Sequence, residues 1–209
     1  MNFDSFLSKI NLLKVKELGG LKTQYKLAPA TRLQYTPEKI KNKNPKKAAV
    51  LALFYPDKNN KTTFLLTKRA SYNGTHSGQI SFPGGKTEKT DLNLQETALR
   101  ETYEEVGVST PTIKVIRELT DIYIPPSNFL ATPFIAYTNT QPNFKYNSEV
   151  AELIEVLASD LLNKLNLTSA KISTPYMKNV TVPCFKLNNY VVWGATAMIL
   201  AEIKELLIS

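Results

Sequence analysis

Apolar positions along this chain change their period several times, and each change marks an element. Phe3, Phe6, Leu7, Ile10, Leu13 and Leu18 fall near helical spacing and Gly19-Gly20 supplies a stop, which predicts a helix over residues 3–18 packed on or flanking the main body. Residues 48–55 form a nearly continuous apolar run closed by Pro56-Asp57, the pattern of a buried strand, and residues 62–67 read as its hairpin partner. A polar, Gly-containing loop follows, then a short strand at 80–82 that ends at Pro83-Gly84-Gly85. Residues 93–106 give the clearest helix. Residues 113–124 and 129–137 read as strands joined by Pro125-Pro126-Ser127-Asn128. A strand over 149–156 leads into a short helix at 159–165, a hairpin spans 180–187 and 190–193, and residues 195–207 form a terminal amphipathic helix. Strands and helices interleave without regular βαβ spacing, so the expected architecture is α/β (α+β), a mixed sheet with helices packed on it.

The helix at 93–106 carries the candidate chemistry. Asn93 is placed to cap it with Glu96 three residues on, and Gly107 sits where a left-handed residue ends a helix. At about 100° per residue, Leu92, Leu99, Thr102, Tyr103 and Val106 share one side, while Glu101, Glu104 and Glu105 cluster opposite. Like charges at these spacings repel by a few tenths of a kcal/mol per pair. A solvated acidic face tolerates that repulsion. A hard divalent cation, Mg²⁺ or Mn²⁺, removes it, because such ions prefer carboxylate and water oxygens. Arg100, one turn before Glu104 and one turn after Glu96, is placed to orient a ligand carboxylate. Gly84-Gly85, just upstream, lets a phosphate or a hydrated ion approach the backbone closely.

Gly85 followed by Arg100-Glu101-Thr102-Tyr103-Glu104-Glu105-Val106-Gly107-Val108 resembles the Nudix box, whose core alternates R-E with E-E and G around bulky apolar positions. The resemblance implies an α/β/α sandwich around a mixed sheet. It implies metal ligation by Glu101, Glu104, Glu105 and the Gly85 carbonyl, with Arg100 bracing them. Two positions depart from the pattern: Thr102 replaces an apolar residue, and the Gly-to-Arg interval is one residue longer, which leaves Asp91 near the upstream acidic position and weakens a role for it. Upstream, Leu65-Leu66-Thr67-Lys68-Arg69, His76-Ser77-Gly78-Gln79 and Phe82-Pro83-Gly84-Gly85 are similar to the signature of the coenzyme A diphosphatase branch, which shares the longer interval. Later landmarks, from Pro126 to Thr196, carry the resemblance over about residues 46–207. It implies a 46–209 Nudix domain after a 1–45 helix and basic arm, and hydrolysis of coenzyme A or a derivative to 4′-phosphopantetheine (or its acyl form) and adenosine 3′,5′-bisphosphate.

In that scheme water attacks one phosphorus directly, the base being Glu101, Glu149 or Glu152. Arg69, His76, Gly78, Gln79 and Gly84 are the candidate substrate contacts. His76, the only histidine, reads equally well as a loop residue that bonds the backbone. The Arg that members of the branch often carry just before this His is missing from Asn73-Gly74-Thr75. A different nucleoside diphosphate derivative, such as ADP-ribose or a dinucleoside polyphosphate, is the rival substrate. A non-catalytic nucleotide- or RNA-binding module is the rival class, and the intact carboxylate trio argues against it.

Charge and composition narrow the partners. The net charge is +8, and residues 1–47 hold eleven Lys/Arg against three Asp/Glu, so the whole surplus lies on this N-terminal segment. Such an arm suits a polyanion, or simply a solvated surface. One cysteine, Cys184, excludes an intramolecular disulfide and a multi-cysteine zinc site. No run approaches the roughly 18 apolar residues of a membrane span, and the N-terminus lacks a signal-peptide layout, so a reducing cytoplasm is the expected setting. Family resemblance alone suggests a homodimer.

Overall fold

The computed structural model describes residues 1–71 and 74–208. Four short helices come first: α1 (Phe3–Ser8), α2 (Ile10–Val15), α3 (Gly20–Gln24) and α4 (Pro37–Asn42). Strands β1 (Lys46–Pro56), β2 (Thr62–Arg69), β3 (Ile80–Ser81) and β4 (Gly84–Lys86) lead to helix α5 (Leu94–Val106). Then follow β5 (Lys114–Glu118), β6 (Ile122–Ile124), β7 (Phe129–Tyr137), β8 (Val150–Leu157) and α6 (Ala158–Leu162). The chain ends with β9 (Leu167–Thr174), β10 (Met177–Leu187), β11 (Tyr190–Trp193) and α7 (Gly194–Leu207).

The apolar run at 48–55 becomes β1, the centre of a mixed eight-stranded sheet. Side chains alternate across a strand, so Ala48, Ala52 and Phe54 enter one apolar cluster while Ala49, Leu51, Leu53 and Tyr55 enter another. That is why the run shows no polar alternation: both faces are covered. The first cluster holds α7 and the N-terminal helices, and the second holds α5. The expected helix–sheet–helix layering is present.

β7 runs parallel to β1 along nine residues. On the other side β1 pairs with β2 only at Phe54–Pro56, and with β4 at Ala48–Val50. β2 bends away to pair with β8 along one edge and with β3 near its end. The splay between β1 and β2 opens the sheet where Gly84, Gly85 and α5 begin. Strand β9 was not anticipated from the sequence. It joins β10 and β11 in a separate antiparallel sheet, and its mostly exposed side chains leave no burial pattern to read.

Two expected elements are divided. The helix over 3–18 breaks at Lys9, whose N–H turns back to the Phe6 carbonyl at 3.0 Å and whose Nζ reaches the Leu207 carbonyl at 3.1 Å. The break lets both halves face the core. Phe6 stacks on Phe54 with centroids 5.0 Å apart, and Leu13 is fully buried. The strand over 113–124 is interrupted at Leu119–Asp121 because Thr120 bonds Glu202 on α7 through its N–H at 3.1 Å and its hydroxyl at 2.6 Å. Helix α7, read as amphipathic, is buried on nearly every side, and Glu202 within it is fully enclosed. Among the described residues no helix is long and apolar enough to cross a membrane.

Candidate active site

Helix α5 starts and stops as its sequence dictates. The Asn93 side chain accepts the Glu96 N–H at 2.9 Å, Glu96 accepts the Leu92 N–H at 2.9 Å, and Gly107 closes the helix at φ +73°. Its packed side differs from the expected one. Thr97, Ala98, Thr102, Glu105 and Val106 are buried, while Tyr103 and Leu92 are exposed. Thr102 fits its buried position because its hydroxyl donates to the Ala98 carbonyl at 2.7 Å. Glu96, engaged in the cap, is not the partner of Arg100.

The three glutamates occupy different environments. Glu104 is the outermost, with a half-exposed side chain. Glu105 is 3% exposed, accepts the Gly84 N–H at 3.2 Å, and lies 3.5 Å from Arg69 Nη1. Burial pushes its carboxyl up to about 7, against the opposing pull of Arg69 and the Gly84 amide. Burial also raises Glu101, partly offset by Arg100. Arg100 Nη1 bonds Glu101 at 3.1 Å and Glu104 at 3.0 Å, and the rest of its fork holds Asp91 and the Lys86 carbonyl.

The Gly-Gly segment, expected only to end the short strand at 80–82, itself forms strand β4. Gly84 has φ +148°, and a Cβ there would lie 2.3 Å from the Ala49 carbonyl oxygen. A Cβ on Gly85 would lie 2.5 Å from the Glu101 carboxylate. Two glycines thus allow β4 to approach β1 on one side and α5 on the other.

A cleft of about 610 Å³ opens over this arrangement. Glu101, Glu104, Glu105, Gly84, Gly85, Arg69, His76 and Gln79 all line it, as does Glu149 from the entrance of β8. Glu149 lies 3.8 Å from Arg69 Nη2 and is largely exposed. Three expected residues stand differently. Gly78 provides a left-handed turn at φ +68° and is not part of the lining. Glu152 faces away, accepting the Tyr190 hydroxyl and lying 4.0 Å from Lys68. His76 lines the cleft with both ring nitrogens engaged, Nδ1 with Gln79 Oε1 at 3.0 Å and Nε2 with the Ser127 hydroxyl at 2.9 Å. That pairing suits the neutral ring, and burial lowers its pKa. Asn73 lies outside the described residues. The sequence reading missed Arg32 and Tyr176, which also line the cleft. Arg32 is one of eleven basic residues in 1–47, and Tyr176 sits between β9 and β10, where β9 carries no burial pattern.

A Nudix domain model matches residues 45–174. The chain belongs to the Nudix family. The uncharacterized Nudix hydrolase NudL of Pectobacterium atrosepticum is 33% identical over 146 residues, covering 68% of this chain and 73% of that protein. The NudL of Yersinia pestis (strain Pestoides F) is 32% identical over 144 residues, covering 68% of this chain and 71% of that protein. A MutT/nudix family protein from Enterococcus faecalis superposes with a TM-score of 0.51 at 14% identity, over 97% of this chain and 74% of that one, a likeness of fold. This Nudix hydrolase is therefore an enzyme of the pyrophosphohydrolase class.

Nudix hydrolases use divalent metal ions, and the donor chemistry here fits one. Glu101 and Glu105 line the cleft as carboxylates, the oxygen donors that hard divalent ions prefer, and Gly85 leaves the space beside Glu101 free of a side chain. Among the described residues no three acidic, histidine or cysteine side chains already form a closed cage. Arg100 bonds two of the three glutamates, Glu101 and Glu104.

Proposed function

We propose that this Nudix hydrolase cleaves the pyrophosphate linkage of coenzyme A or a derivative, using Mg²⁺ or Mn²⁺. The observation that supports it is one cleft that has the glutamate cluster and Gly84-Gly85 at one end and Arg69, His76, Gln79, Arg32 and Tyr176 along its walls. Its volume, about 610 Å³, falls within the range that holds a nucleotide-sized ligand. The motifs at 65–69, 76–79 and 82–85 direct the choice toward coenzyme A.

Glu101, Glu104 and Glu105, with the Gly85 carbonyl, would hold the cation. When bound, it supplies positive charge to the diphosphate oxygens and makes the attacking water more acidic. Arg100 keeps the carboxylates in place from behind, and Arg69 faces the phosphate chain while restraining Glu105 and Glu149. Glu149 or Glu101 takes the proton from water as its oxygen bonds one phosphorus and the bridging bond breaks. The negative charge that develops on the bridging oxygen leaves with the second phosphate. The family resemblance adds a homodimer to this reading.

The test is mass-spectrometric product analysis after the purified protein is incubated with coenzyme A and either metal, beside ADP-ribose and a dinucleoside polyphosphate. The expected products are 4′-phosphopantetheine and adenosine 3′,5′-bisphosphate. Consumption of ADP-ribose with coenzyme A left intact would overturn the assignment.

A further inference from the structure

Arg32 carries a charge that the described part of the protein does not neutralise. It ends the short turn Ala30–Arg32, in the N-terminal segment outside the matched Nudix region. The residue is 9% exposed, and its Nη1 is enclosed without a hydrogen-bond partner. Among the described residues no carboxylate forms an ion pair with it. Its electrostatic neighbours are the phenol side chains of Tyr176, Tyr25, Tyr35 and Tyr123, with no carboxylate among them. Burial pushes the guanidinium down to about 10, so it remains charged at pH 7.

Enclosed, unpaired guanidinium groups are costly to fold around. The cost is met when an anion enters and completes the pair. Arg32 lines the same cleft as the glutamate cluster, on the wall with His76, Gln79, Ser127 and Tyr176. Its planar fork suits a phosphate oxygen pair.

We propose that Arg32 forms an anion subsite for a phosphomonoester that the substrate carries apart from the diphosphate being cut. This rests on the coenzyme A reading, in which that group is the 3′-phosphate of the adenosine. The donor comes from the N-terminal segment, so this segment completes the substrate site rather than merely flanking it. It also supplies a phosphate contact where residues 73–75 offer no arginine.

Two measurements on the full chain test the subsite. In metal-free buffer, calorimetry compares adenosine 3′,5′-bisphosphate with adenosine 5′-monophosphate for the wild type, Arg32→Met and Arg32→Gln. The wild type is expected to bind the bisphosphate about tenfold more tightly, as a charge-assisted phosphate contact allows, and both variants should lose that preference. In turnover with metal, either variant should raise KM for coenzyme A about tenfold at nearly constant kcat, while dephospho-coenzyme A is unaffected. Arg32→Met should melt no lower than the wild type, since it removes an unpaired buried charge, and Arg32→Gln serves if the Met variant does not fold. A bisphosphate preference that survives both substitutions, or an equal loss for both adenine nucleotides, overturns the subsite. If coenzyme A is not hydrolysed by the wild type but the preference depends on Arg32, the substrate reading falls and the subsite stands. If coenzyme A is hydrolysed with KM unchanged in both variants, the subsite falls and the substrate reading stands.

Discussion

The Arg100 guanidinium grips Asp91 with two hydrogen bonds, Nε to Oδ1 at 2.9 Å and Nη2 to Oδ2 at 3.0 Å. Asp91 also accepts the Glu88 N–H and the Thr97 hydroxyl, which fastens the segment before α5 to the helix. The longer glycine-to-arginine interval, which weakened any role for Asp91, instead delivers it to the base of the arginine that holds Glu101 and Glu104.

Asp91→Asn should therefore lower stability by roughly 1–2 kcal/mol, a typical effect for charge-assisted bonds. Pairing with Arg100 holds the Asp91 carboxyl well below the usual carboxylate range. With its folded pKa depressed, the carboxylate contributes fully above about pH 4 and loses its contribution as pH falls below that. Melting curves should show a constant gap between wild type and variant from pH 6 to 8 that narrows at about pH 3. A gap that widens in acid would contradict the pairing.

The two adjacent glycines should fail in different ways. Gly84→Ala forces a side chain toward the Ala49 carbonyl at a positive φ, so denaturant unfolding should show a loss of roughly 2 kcal/mol or more. At Gly85→Ala the nearest atoms to the added Cβ are those of the movable Glu101 carboxylate. It should keep most of its stability and lose metal-dependent turnover.

Glu104→Gln and Glu105→Gln should each reduce kcat by about a hundredfold, the scale for removing one group that stabilises transition-state charge, with far-UV circular dichroism unchanged. Glu149→Gln should lower kcat by at least about tenfold, as the loss of a general base does. Glu152→Gln should stay near the wild type, because its carboxylate is turned toward Tyr190. Steady-state kinetics with the reverse ordering of Glu149 and Glu152 would reassign the base.

Glu202 accepts bonds from Gly20, Gln24 and Thr120, so it ties α3 and the link between β5 and β6 to α7. Glu202→Ala leaves those donors buried and should cost about 3 kcal/mol in urea unfolding. Any activity loss should follow the unfolded fraction and nothing more.

How much of this was legible in the sequence depended on whether the cause was local. Local causes wrote themselves plainly: the apolar run of β1, the Asn93 cap, the Gly107 stop and the spacing of Glu101, Glu104 and Glu105. Each depends on residues a few positions apart, where backbone geometry fixes the relation.

Only the tertiary structure decided which side of α5 is buried, that Gly84-Gly85 is a strand, and that Asp91 serves Arg100. It also turned Glu149 toward the cleft and Glu152 away from it, and brought Arg32 from the arm to the cleft wall. These relations join residues distant along the chain, and they follow from how β1 and β2 splay and what fills the gap. Period and composition describe a segment's own faces. They carry no record of which distant group a buried charge will meet.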